Sequence, residues 1–143
     1  MSRDTVYAAL YAKLAGAHSF KTKGRRLRHW KDVQPENHPA MFLVVSDQVQ
    51  RSSAGAPLSW AFHAELTLYA YDSSLDGVPQ IALNAILDDI EAALAADDPA
   101  TDRCTLGGVV RDCRIEGTIE TDKGVLGPQA VAIVPLIILP KLD

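Results

Sequence analysis

Apolar positions recur along the chain at two different spacings, and the changes of spacing mark the elements. Val6, Leu10 and Leu14 stand four apart with Tyr7 and Tyr11 beside them, which predicts a helix over about residues 5–15, capped by Ser2 or Asp4 and stopped at Gly16. A weak strand pattern lies near Phe20–Leu27, followed by Trp30–Pro39, where Pro35 and Pro39 exclude helix and favour extended backbone. Met41–Val45 is apolar and partly β-branched, the composition of a short buried strand, and Ser46–Pro57, rich in Ser, Gly, Gln and Ala, reads as an exposed loop or hairpin tip.

From Leu58 to Tyr71 the alternation is strict. Trp60, Phe62, Ala64, Leu66, Leu68 and Ala70 fall on one face, with Ala61, His63, Glu65, Thr67, Tyr69 and Tyr71 on the other. Strands of this length outreach a core or carry a bulge. Asp76-Gly-Val-Pro79 opens a second helix whose inner stripe is Leu83, Leu87, Ile90 and Leu94 with Ile86 at its edge, and Asp97-Asp-Pro99 closes it. Two further strands are predicted, Val109–Glu120 and Leu126–Leu139, joined by a tight turn at Thr121–Gly124. The last is apolar on both faces, as for a strand covered on both sides. The expected fold is α+β: an antiparallel or mixed sheet of about four to five strands packed by two helices, in the order α-β-β-β-α-β-β.

With 143 residues, the chain has the usual size of one domain, so residues 1–143 are read as a single unit. No apolar run reaches the roughly 20 residues of a membrane span, and the N-terminus lacks the apolar stretch of a signal peptide; synthesis in the cytoplasm is the expectation. The net charge of −4 hides an asymmetry. Lys21, Lys23, Arg25, Arg26, Arg28 and Lys31 stand within eleven residues that contain no acid, leaving eight bases against eighteen acids elsewhere, +6 against −10. Between Ser52 and Asp102 there is no Lys or Arg but nine acids, among them Asp88, Asp89 and Glu91 on the second helix.

Chemistry-bearing patterns are missing. His18, His29, His38 and His63 show no metal-ligand spacing, and Cys104 and Cys113 flank a Gly-Gly turn as plain thiols. Leu106-Gly107-Gly108 lacks the spacing and following helix of a phosphate loop, Asp88 and Asp89 project from an outer flank without a desolvated pocket, and no serine sits in a nucleophile elbow. No enzyme, cofactor or metal is expected. The basic segment with Trp30 leaves three readings open: a protein partner, a phosphate backbone, or a solvated face.

Leu27-Arg-His-Trp30-Lys-Asp-Val33-Gln-Pro35-Glu-Asn-His-Pro39-Ala-Met-Phe42-Leu resembles the early part of tail terminator, or tail completion, proteins of long-tailed bacteriophages. Leu68–Tyr71, Asn84–Ile90, Leu106–Val109, Cys113–Gly117 and Ala130–Leu139 follow in the family's order, so the likeness spans roughly residues 1–139. It implies a virion structural protein forming a ring, usually of six copies, on the head-proximal end of the tail tube. Such a ring halts tube growth and docks the head connector; its partners would be further copies of itself, the tube protein and the connector or neck protein, with no membrane and no specific nucleic acid. The candidate interface comprises Lys21, Lys23, Arg25, Arg26, Arg28 and Trp30 against Asp88, Asp89 and Glu91, because opposite charges on two regions of one chain suit the heterologous contacts of a ring. Candidate docking loops hold Gln50, Arg51, Ser52 and Ser53, and Asp122 and Lys123. The alternatives are a head-tail connector or neck subunit, and a small nucleic-acid-binding module using residues 21–31.

Overall fold

The computed structural model describes residues 2–52, 59–74, 77–122 and 127–141, with the backbone alone at 46–52 and 59. Helix α1 runs Arg3–Ala15; Ser2 caps it by accepting from the Thr5 amide at 3.4 Å, and Val6, Tyr7, Leu10 and Leu14 form its buried stripe. Strand β1, Thr22–Gly24, is short and pairs in parallel with the start of β2, Ala40–Ser52. Between them the two prolines work as expected: residues 34 and 38 stay extended, although Trp30–Asp32 and Pro35–Asn37 each close one 3₁₀ turn.

The loop or hairpin tip expected at 46–57 is a hairpin whose strands run further than expected, so the expectation is corrected over 46–52. β2 continues to Ser52 because it pairs antiparallel with β3, Ser59–Tyr71, as far as Ser52 opposite Ser59. Ladder pairing overrides the weak strand propensity of Ser and Gln, and a bulge absorbs the mismatch: four steps from Val45 to Val49 match two from Ala64 to Phe62. The rest of that expected loop, with Ser53, lies outside the described residues, as does Asp76.

Helix α2 spans Pro79–Ala93 with Pro79 in its first turn. Its buried stripe is Pro79, Leu83, Ile86 and Ile90, so the inner face is rotated from the one expected, and Leu87 and Leu94 are half-buried at its margin.

The strand expected over 109–120 is two strands, β4 (Val110–Ile115) and β5 (Glu120–Asp122), which gives the order α-β-β-β-α-β-β-β. The cause lies on their partner, β6 (Gln129–Pro140). Pro135 has no amide hydrogen to donate, so the ladder with β4 covers Leu136–Pro140 and that with β5 covers Val131–Ile133. The chain passes the proline at Gly117, at φ +114°, where a Cβ would meet the Pro135 ring at 3.2 Å. Of the turn expected at 121–124, residues 123 and 124 lie outside the described residues, Lys123 among them.

The fold is α+β with one mixed sheet, ordered β1-β2-β3-β6-β4 with β5 also on β6, and both helices on one face. The main core joins their stripes to Met41, Leu43, Phe62, Leu66, Leu68, Val134, Leu136 and Ile138. The far face is more open than the apolar last strand led one to expect. A small cluster of Val33, Ala40, Phe42 and Tyr69 covers part of it, but Val131, Ile133, Pro135 and Leu139 are half-exposed.

Candidate interaction surfaces

The later part of the basic segment, residues 28–33, is strapped across the far face of the sheet, while Arg25 reaches α1 at the sheet edge. Val33 packs there, the Tyr69 hydroxyl donates to the Arg28 carbonyl at 2.7 Å, and the Gln129 amide donates to the Trp30 carbonyl at 3.4 Å and contacts His38 Nε2 at 2.9 Å. Burial raises the Tyr69 phenol above its ordinary range, so it remains a donor. These anchors hold backbone and leave the cationic side chains outside. Arg25 reaches Asp4 at 3.1 Å across an exposed edge and Arg28 donates to the Asp32 carbonyl at 2.9 Å. Lys21, Lys23 and Arg26 are exposed with no side-chain partner among the described residues, and Trp30, 39% exposed, carries Lys31 at 5.4 Å from its ring centre.

Asp88, Asp89 and Glu91 lie exposed on α2, in the opposite layer. Asp89 takes an internal partner, His18 Nδ1, at 2.7 Å; Asp88 and Glu91 have none among the described residues. No ion pair among the described residues joins the basic segment to these acids.

The two candidate docking loops leave from opposite ends of the sheet. Gln50, Arg51 and Ser52 pair with Ala61, Trp60 and Ser59, beyond the last β3–β6 pair at Phe62 and Ile138, so the β2–β3 hairpin overhangs. The Arg3 guanidinium braces its base against α1, lying 5.7 Å and 5.6 Å from the Trp60 and Phe62 ring centres. Asp122 ends β5 opposite Val131, at the other end.

One solved structure superposes with a TM-score of 0.59 at 12% identity, covering 100% of this chain and 98% of that one. That likeness speaks for the fold alone. No family model and no curated protein matches the sequence.

His29 and His38 are held in local hydrogen bonds. His29 Nδ1 accepts from the Lys31 amide at 3.1 Å, and buried His38 lies between the Gln34 carbonyl and Gln129. Among the described residues no group of three or more His, Cys, Asp or Glu side chains could hold a metal, and no helix is long and apolar enough to cross a membrane. Cys104 and Cys113 are buried and free. Burial, with smaller contributions from Cys104 and Asp112, pushes the Cys113 thiol up to about 12. Only a thiolate attacks a disulfide reagent and both side chains are shut off from solvent, so neither cysteine should react in native protein at pH 8, and both should react in urea. Rapid native labelling would show that β4 or the loop before it opens.

One tie joins two segments that the sequence presents separately. Asp97 accepts from the amides of Thr105 at 2.7 Å and Gly107 at 3.0 Å and from the Thr105 hydroxyl at 2.8 Å, which lowers its carboxyl to about 2, with the Gly107 amide the largest cause. It ties the loop after α2 to the Leu106–Gly108 turn, whose residues have φ of +52°, +72° and +93°. An aspartate ten residues before a Gly-Gly pair was the available signal.

Proposed function

We propose that the chain is a virion structural protein that assembles into a ring, of six copies as in the family it resembles, at the head-proximal end of a phage tail tube. It ends tube polymerisation there and presents the docking surface for the head connector. The observation that carries this reading is the separation of charge. Residues 28–33 lie over the far face of the sheet, Arg25 at its edge beside Asp4, and the acids of α2 in the helical layer with no ion pair to the basic segment among the described residues, so the two satisfy each other between copies more readily than within one. The overhanging β2–β3 hairpin and the β5 end point from opposite ends of the sheet, as a part lodged between two different assemblies requires. The ordered sequence resemblance supplies the identity of those assemblies.

Electron microscopy of tails assembled with and without the chain tests it. Tails lacking the chain should grow to irregular, excessive lengths, and added protein should restore a uniform length. If length is unchanged and the protein binds filled heads instead, its place is on the connector side of the joint.

A further inference from the structure

A hollow between the loop that follows α2, the start of β4 and the end of β6 is lined by Arg103, Arg111, Lys141, Asp97, Asp98 and Val110, among others. Its two acids are already engaged. Asp97 is held by the Thr105 and Gly107 amides, and Asp98 accepts from the Ala100 amide at 3.0 Å and the Thr101 hydroxyl at 2.8 Å. The three cations are not engaged, since none has a side-chain partner among the described residues.

Arg111 is the decisive residue. It sits at the bulge where β4 takes two steps, Val110 to Asp112, against one on β6, Pro140 to Leu139. Bulges re-aim a side chain out of the regular alternation, and here the one re-aimed lines the hollow. Its Nε is buried with no acceptor among the described residues, so what this side chain offers the hollow is the Nη edge of a guanidinium that no described protein group engages. Such an edge takes an acceptor best as a pair of oxygens on a single planar or tetrahedral anion.

The charge of the lining selects between those anions. Three cations against two carboxylates leave +1. A single carboxylate brings the site to neutrality, whereas a phosphate dianion would overshoot it and face Asp97 and Asp98. We infer that this hollow binds one carboxylate group, gripped by the Arg111 guanidinium with Arg103 and Lys141 beside it. The carboxylate is either that of a small organic acid or that of an acidic side chain on a protein partner. The site stands independently of the ring assembly proposed above.

The test follows the Arg111 Nε–Hε resonance of isotopically labelled protein by nuclear magnetic resonance, at constant ionic strength. The probes are sodium acetate, a blocked Glu-rich tetrapeptide, inorganic phosphate and sodium chloride. Acetate and the peptide should each move the resonance saturably, while chloride should not. The same titrations followed on neighbouring backbone amides in Arg111→Gln should show affinity reduced about tenfold or more, with circular dichroism unchanged. Tighter binding of the peptide than of acetate points to a protein partner; equal or weaker binding of the peptide points to a small acid. The assignment is overturned if chloride reproduces the shift, if phosphate binds more tightly than acetate, or if Arg111→Gln titrates like wild type.

Discussion

Replacing Ile90 by alanine should lower stability by about 2–5 kcal/mol, whereas Leu87→Ala should cost less than about 2 kcal/mol. Ile90 is fully buried in the α2 stripe, packed with Leu83 and Ile86 against the sheet, so truncation leaves a cavity walled by β-strands that cannot collapse into it. Leu87, half-buried at the margin, loses less area, and solvent fills what it vacates. Each kcal/mol moves the melting midpoint of a chain this size by about 2–4 °C, so a thermal scan separates the two variants readily. Equal losses would mean that the helix turns the face suggested by spacing alone.

Arg25, Arg26 and Arg28 replaced together by glutamate should leave a folded subunit that fails to associate. Arg25 meets an exposed Asp4, Arg28 bonds only a carbonyl, and Arg26 has no partner among the described residues; exposed contacts of this kind are worth about 0–1 kcal/mol each. Across an interface, by contrast, like charges cost several kcal/mol, and in a ring the cost recurs at every contact. Light scattering at matched concentration reads the assembly and circular dichroism the fold. Lysines at Asp88, Asp89 and Glu91 on the same chain should recover part of the loss. If the triple variant assembles like wild type, the basic segment faces solvent, tube or connector instead of a neighbouring copy.

The elements best read from sequence are those whose pattern is set within the element. α1 and β3 depend on their own spacing, and their faces are correct residue by residue, from Val6 and Leu10 to Phe62 and Leu68. What escaped depends on a partner. The break between β4 and β5 is caused by Pro135 on β6, the extension of β2 by the ladder with β3, and the rotation of the α2 stripe by the sheet beneath it. The Arg111 hollow escaped for the same reason: Arg103, Arg111 and Lys141 are unremarkable singly and are gathered only by the fold. The charged residues 21–31 and the acids of α2 were visible as runs, but only the structure puts residues 28–33 on the far face of the sheet and the α2 acids in the helical layer.

The strap over the far face carries a consequence for how the basic residues bind. Tyr69 and Gln129 hold its carbonyls and Val33 its apolar side, so the backbone through Arg28 and Trp30 is fixed before any partner arrives. A disordered basic tail would surrender about 1–2 kcal/mol of backbone freedom per residue on capture. This segment has surrendered it already, during folding. Its side chains act as a preorganised template whose spacing is set by the sheet, and a partner must match that spacing rather than mould it.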